Sequence, residues 1–99
     1  MKTIWKYEIP VTDVVELSMP KDAGILPKVV AAAPDRLNFW AVVDPANELE
    51  TRRFLVVGTG NPFPEEAFIW IGTVVADPFV WHLFEPPKKK SWREADSTR

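Results

Sequence analysis

The amino-acid sequence predicts a small all-β domain, and three observations support that prediction. Short apolar segments recur along the chain, and clusters of Pro, Gly, Asp or Asn separate them. No stretch carries the 3.6-residue apolar period of a helix. Proline accounts for 10 of the 99 residues, twice the usual fraction of roughly 5%. Because proline cannot donate a hydrogen bond to a central ladder, so many prolines indicate many strand ends and turns.

The first two predicted strands show the period-two alternation of half-buried strands. Thr3–Ile9 places Trp5 and Tyr7 on one face and its charged residues on the other. Val14–Met19 has the same alternation, with Leu17 in the middle of its apolar face.

The third segment, Ile25–Ala33, is compatible with two structures. Pro27 argues against a central strand at that position, and the apolar run after it fits a strand or one or two turns of helix. We favour a strand because β-branched Val29 and Val30 lead the run and strands are predicted on both sides.

The next two segments, Leu37–Asp44 and Arg53–Thr59, carry apolar residues on both faces, which is typical of central strands. In the first of them, Trp40 lies on the face opposite Phe39. A short loop joins the two segments, so we expect them to be antiparallel neighbours in a hairpin-like connection.

The last two strands, Phe68–Val75 and Phe79–Glu85, flank a tight turn at Ala76-Asp77-Pro78 and therefore predict a hairpin. The total is about seven short, mostly antiparallel strands. That number fits a meander-like sandwich or a rolled, partly open barrel.

The chain divides into an all-β domain over residues 1–85 and a flexible basic and polar tail over residues 86–99. The tail contains Lys88–Lys90 and Trp92, a combination that can bind phosphates and stack on a base. Glu94 and Asp96 follow directly, so a solvated tail is favoured over binding of nucleic acid.

Composition excludes several classes of protein. The chain is 46% hydrophobic and 26% charged, which is ordinary for a globular domain. Its net charge of −2 provides no general attraction to nucleic acid or anionic membranes, and no apolar run approaches the ~20 residues that span a bilayer. With no cysteine and no signal-peptide pattern, we expect a soluble cytoplasmic protein.

The aromatic residues predict more apolar surface than one small core readily holds. Several strands carry large apolar side chains on both faces, which indicates either a second covering layer or a surface for a partner. We expect the following side chains to be mostly buried: Trp5, Tyr7, Leu17, Phe39, Val56, Trp70 and Trp81.

Eight residues are candidates for binding a ligand or partner. In the glycine turn, backbone N–H groups could face an anion, although glycines in β-proteins more often supply a turn with positive φ. Arginines can form charge-assisted bonds to phosphate, and Trp is enriched at interfaces. A single histidine without cysteines builds no zinc site, and it lacks an identified nucleophile. The candidates are Trp40, Arg52, Arg53, Gly58, Thr59, Gly60, Asn61 and His82.

Five segments together resemble a family of short bacteriophage and prophage proteins of unknown function. They are the opening Thr3-Ile4-Trp5-Lys6-Tyr7, Trp40–Pro45, the turn Gly58–Pro62, and Ile71–Val74 with Val80–Glu85. The resemblance covers roughly residues 1–85. Members of that family often have a histidine where this chain has Asn61. The resemblance implies a phage-accessory setting and no established activity.

These observations together predict a non-catalytic binding protein without metal or cofactor. In the favoured interpretation, which takes its phage setting from the resemblance, an apolar aromatic strand face binds a host protein and interferes with host defence. We also expect the protein to form a homo-oligomer through such a face. The alternative is a homo-oligomer that sequesters a small nucleotide signal in pockets at subunit contacts. A third, less favoured interpretation is a small hydrolase that uses His82 and loop acids.

Overall fold

The computed structural model describes residues 1–64 and 68–87, and these ranges contain seven β-strands and no helix. The prediction of a small all-β domain is confirmed, and Ile25–Ala33 lies within a strand. The strands are β1 (Thr3–Pro10), β2 (Val14–Pro20), β3 (Gly24–Ala33), β4 (Arg36–Val43), β5 (Leu49–Gly58), β6 (Ile69–Ala76) and β7 (Phe79–Glu85).

The strands form two antiparallel sheets. One has three strands in the order β1-β4-β3, and the other has four in the order β2-β5-β7-β6. The hairpin of β6 and β7 is confirmed. The expected pairing of β4 with β5 is wrong, because β4 pairs with β1 and β3 while β5 pairs with β2 and β7. A short loop can join strands of two packed sheets as well as neighbours in one sheet, and the loop between β4 and β5 joins the two sheets.

Alternation along β4 places the core between the two sheets. Leu37, Phe39, Ala41 and Val43 point inward and are almost wholly buried, while the intervening residues are half-exposed. The Phe39 ring packs on that of Phe54 from β5, with 5.1 Å between centroids. The other buried residues of this core are Ile9, Met19, Ala23, Val29, Val56, Ile71 and Leu83.

The two sheets make their closest approach where β3 lies against β6. A Cβ atom on Gly72 would lie 2.8 Å from Cγ2 of Val29 and 3.4 Å from its backbone nitrogen. Only glycine therefore allows the backbones to come this close. The other edge strand of each sheet is β1 in the three-stranded sheet and β2 in the four-stranded sheet. No strand of one sheet is hydrogen-bonded to a strand of the other.

A β-bulge in β6 overturns the prediction that Trp70 is buried. Trp70 pairs with Phe84 and Gly72 pairs with Leu83, so Ile71 is one extra residue in β6. Gly72 then faces the core beside Leu83, and Trp70 points to the outer face of its sheet with 58% of its surface exposed. Regular alternation would have placed Trp70 and Gly72 on the same face.

The prediction for Trp5 is also wrong, because its side chain is 40% exposed. Trp5 pairs with Ala41 on the inner side of β1, but β1 is an edge strand and no strand closes the sandwich beside it. Tyr7 on the same strand and Leu17 on the edge strand β2 are half-buried and pack against the core, as does Trp81. Phe39 and Val56 are buried, as expected.

The predicted tail lies largely outside the described residues, which end at Pro87. Pro86 and Pro87 follow β7 without regular structure and are half-buried. In the described part of the chain, no helix is long and apolar enough to cross a membrane.

Gly72→Ala is expected to lower the free energy of unfolding by about 1–3 kcal/mol, the usual cost of overpacking. The new methyl group would overlap Cγ2 of Val29, which is buried and stiff at χ1. Urea denaturation measures the change, and adding Val29→Ala should recover part of it.

Gly24→Ala is the matched control, because nothing lies within 4 Å of a Cβ atom at that position. Its unfolding free energy should stay within about 0.5 kcal/mol of the parent value. Equal losses in Gly72→Ala and Gly24→Ala would show that the contact between β3 and β6 is not tight.

Candidate functional site

The structure brings together five of the eight candidate residues and separates the other three. Gly58, Thr59, Gly60, Asn61 and His82 meet where β5 leaves the four-stranded sheet, on or beside its outer face. The outer face is the face of this sheet turned away from the three-stranded sheet.

The turn after β5 requires glycine at two positions. The Asn61 backbone N–H donates to the Gly58 carbonyl at 3.0 Å, and Gly60 has a φ of +93°, as the third residue of a type II turn requires. A Cβ atom at Gly58 would lie 2.9 Å from the Trp81 ring and from the Asn61 side-chain amide. Close packing and turn geometry thus account for these glycines without a bound anion.

The imidazole of His82 joins two threonines across the sheet. Its Nε2 lies 2.8 Å from Oγ1 of Thr59, and its Nδ1 lies 2.9 Å from Oγ1 of Thr73. The indole N–H of Trp70 donates to the same Thr73 oxygen at 3.1 Å. We call these four residues, Thr59, Trp70, Thr73 and His82, the His82 cluster.

The β6 bulge creates this cluster. Residues 70 and 73 would lie on opposite faces of a regular strand, but the extra residue places both side chains on the outer face. Thr73 pairs with His82 directly across the β6–β7 ladder. The hydroxyl of Thr73 accepts the indole N–H and so favours one orientation of the exposed Trp70 ring.

The described partners of the His82 ring are hydroxyl groups. Both ring nitrogens of His82 already have a hydroxyl partner, and no hydrogen bond or ion pair in the described residues joins His82 to a carboxylate. A catalytic histidine is usually oriented by a carboxylate that also stabilises the imidazolium. No group of three or more His, Cys, Asp or Glu in residues 1–64 and 68–87 could hold a metal ion.

Aromatic side chains extend the outer face beside the cluster. Phe84 pairs with Trp70 across the ladder and receives the ring of Phe63 at a centroid distance of 5.1 Å. Phe63 also meets Phe68 edge-on at 5.8 Å and is about half exposed. Three residues of this surface were not among the candidates predicted from the sequence: Phe63, Trp70 and Thr73. The position of Phe63 between two prolines was a weak indication in the sequence of an exposed aromatic residue. The bulge that places Trp70 and Thr73 on one face had no such indication.

A groove of about 400 Å³ borders this surface where β2 begins. β2 pairs with β5 only as far as Val14 and Leu55, so the rest of β5 is uncovered on that side except for the bond from Val56 N–H to the Asp13 carbonyl. We call this the end groove. It is lined by Asp13, Val14, Leu55, Val56, Val57, Asn61, Pro62 and Pro64.

Arg52 does not face this surface; it lies between the sheets. Its Nε and Nη2 atoms donate to the two carboxylate oxygens of Glu85 at 2.7 and 2.9 Å, and Nη1 donates to the Ala23 carbonyl. The side chains of Arg52 and Glu85 are only 12% and 14% exposed. All three contacts hold structural elements together, so Arg52 is not free to bind phosphate.

Charges and burial shift the pKa values in this interior group. Burial lowers the pKa of Arg52, but the hydrogen bond and charge of Glu85 outweigh that effect and the pKa is raised. Burial raises the pKa of Tyr7, and the charge of Arg52 only partly opposes it. The Tyr7 hydroxyl is buried and has no protein hydrogen-bond partner among the described residues.

The remaining two candidates lie apart from the cluster. Arg53 is exposed on the outer face, four residues along β5 from Val57, which pairs with His82. That spacing corresponds to about 13 Å. Trp40 is half-buried on the far side of the molecule, where it pairs with Lys6 on β1.

The chain belongs to the family defined by a domain of unknown function (DUF7352), whose model matches residues 1–94. The match extends beyond the residues 1–85 covered by the resemblance. No curated protein and no solved structure shows significant similarity to the chain.

Arg52→Met should lower the free energy of unfolding by about 2–4 kcal/mol, because it leaves the Glu85 carboxylate largely buried without its partner. Replacing both residues, with Arg52→Met and Glu85→Leu, should cost less than the sum of the single changes. A double-mutant cycle in urea gives the coupling. A loss below about 1 kcal/mol for Arg52→Met would return Arg52 to the list of ligand-binding candidates.

Tyr7→Phe should make the protein relatively more stable at alkaline pH. The pKa of Tyr7 is raised on folding, so its contribution to stability is present below the unfolded-state value of about 10 and is lost as pH rises through the folded-state value. Phenylalanine has no proton to lose.

Urea midpoints at pH 8 and pH 11 measure this difference. Between these two values, the unfolding free energy of Tyr7→Phe should fall less than that of the parent protein. Parallel losses in the two proteins would contradict the raised pKa. At neutral pH the substitution should cost little, since the hydroxyl has no protein partner.

Proposed function

We propose that this family member is a non-catalytic binding protein and that the outer face of its four-stranded sheet is the recognition surface. The observation that carries the proposal is Trp70, a large aromatic residue that is 58% exposed yet held by a hydrogen bond to Thr73. Binding energy at protein interfaces is concentrated in a few Trp, Tyr and Arg residues. A ring that is already oriented loses little conformational entropy when a partner binds.

The neighbouring residues support the same surface. Phe63, Phe84 and Phe68 provide an aromatic area beside Trp70, and Val75, on the same face of β6, is also more than half exposed. Exposed apolar groups that lie together on one face of a soluble domain are typical of a protein interaction site. β6 contains no charged residue that would oppose such contact.

The partner we propose is a host protein in the cytoplasm of a bacterium, and the setting is phage-encoded interference with host defence. The resemblance to phage proteins motivates the setting. The aromatic character of the surface motivates a protein partner. Self-association through the same face is part of the proposal, since one apolar face can serve both contacts.

The alternative, sequestration of a nucleotide at subunit contacts, has weaker support. Trp70 could stack on a base. However, Arg52 is engaged by Glu85 and Ala23, and the other proposed phosphate ligand, Arg53, lies about 13 Å along β5 from the cluster. A small hydrolase is supported less, because His82 lacks an orienting carboxylate among the described residues.

Trp70→Ala should reduce capture of the host partner at least tenfold, whereas Trp40→Ala should leave it unchanged. Tenfold corresponds to about 1.4 kcal/mol, a moderate value for an interface tryptophan. Trp40 is the matched control because it is a half-buried tryptophan on the opposite side of the molecule. Affinity capture from host lysate with quantitative mass spectrometry identifies proteins that depend on Trp70.

Two further measurements separate the alternatives. Light scattering at micromolar concentration tests self-association, and a monomer in both parent and Trp70→Ala would remove that part of the proposal. A thermal-shift series with mono-, di- and cyclic nucleotides tests sequestration, since a ligand at 100 times its Kd adds about 2.7 kcal/mol. Stabilisation by a nucleotide together with capture that does not depend on Trp70 would overturn the protein-partner proposal.

A further inference from the structure

The end groove offers a chemistry different from that of the aromatic surface beside it. Its apolar lining includes Leu55 and Val57, which point to the outer face of β5, together with Val14 and Pro62. A volume of about 400 Å³ falls within the range of sites that hold small ligands or single side chains.

The polar groups of the groove are acidic or neutral. Asp13 is the one charged residue among the described residues that line it, and Asn61 supplies a side-chain amide. The turn bond from the Asn61 N–H to the Gly58 carbonyl keeps Asn61 beside the groove. No Lys, Arg or His from the described part of the chain lines it.

We propose that the end groove binds a basic side chain, arginine or lysine, of the partner protein. The aliphatic stem of such a residue would pack on the proline, valine and leucine residues of the lining, and its charged head would pair with the carboxylate of the lining residue Asp13. Asp13, the one charged residue in the described part of the lining, complements that head and repels a phosphate. This inference rests on the proposed function and specifies the partner as a protein that presents a basic residue beside its contact with Trp70.

Fragment titration of the 99-residue chain tests the groove without knowledge of the partner. The probes are n-butylguanidinium, its neutral analogue n-butylurea and the anion n-butyl phosphate. In two-dimensional NMR spectra of 15N-labelled protein, n-butylguanidinium should cause saturable shifts at the amides of Val14, Leu55, Val57 and Asn61. The urea should bind at least fivefold more weakly, and the phosphate should not bind.

Asp13→Asn should weaken n-butylguanidinium binding at least fivefold and remove its dependence on salt concentration, because an exposed charge pair is screened by salt. The variant preserves the Asp13 carbonyl that accepts the Val56 N–H. Asp35→Asn is the matched control: it removes one exposed carboxylate at the turn between β3 and β4, outside the residues that line the groove, and should leave the affinity unchanged.

Two results would overturn the inference: equal binding of n-butylurea and n-butylguanidinium, or equal affinity in Asp13→Asn and the parent. Tighter binding of n-butyl phosphate would replace the basic side chain by an anionic ligand and also overturn it. The proposed function is judged separately by capture in Trp70→Ala. Trp70-dependent capture without fragment binding would leave the proposed function intact and reject only the groove.

Discussion

The contact between Gly72 and Val29 is the constraint on which the rest of this structure depends. Because β6 carries glycine where β3 crosses it, the two sheets approach so closely that a single added methyl group would overlap Val29. The bulge just before Gly72 lets this residue face the core while β6 stays paired with β7 on both sides of the bulge. The same bulge turns Trp70 outward beside Thr73 and so produces the surface on which the functional proposal rests.

Polar residues divide into two groups with different consequences. Between the sheets, Arg52 is held by Glu85 and by the Ala23 carbonyl, so its charge is used to join β5, β7 and the chain before β3. On the outer face, His82 is held by two threonines with hydroxyl groups that remain near solvent. Arg52 was predicted to bind a ligand because arginine forms charge-assisted hydrogen bonds to phosphate. Its position assigns it to the interior, where removal of one charge leaves the other unsatisfied.

Much of the fold followed from local patterns. The alternation in β4 identified Phe39 as a core residue, and the turn residues between β6 and β7 identified their hairpin. Part of the site was predictable for the same reason, since Gly58–Asn61 lie in one turn and His82 was the single histidine. The pairing of β4 with β5 was wrong because sequence distance does not tell which sheet a strand joins.

The sequence by itself determined that the chain forms short antiparallel strands and that it has more large apolar residues than one core needs, because both properties are local or compositional. Only the tertiary structure decided which of those residues remain exposed. The extra residue in β6 inverts the face that Trp70 occupies, and an edge position leaves Trp5 partly uncovered. Neither effect has a local signature, since strand registry and the closeness of two sheets depend on contacts between distant segments.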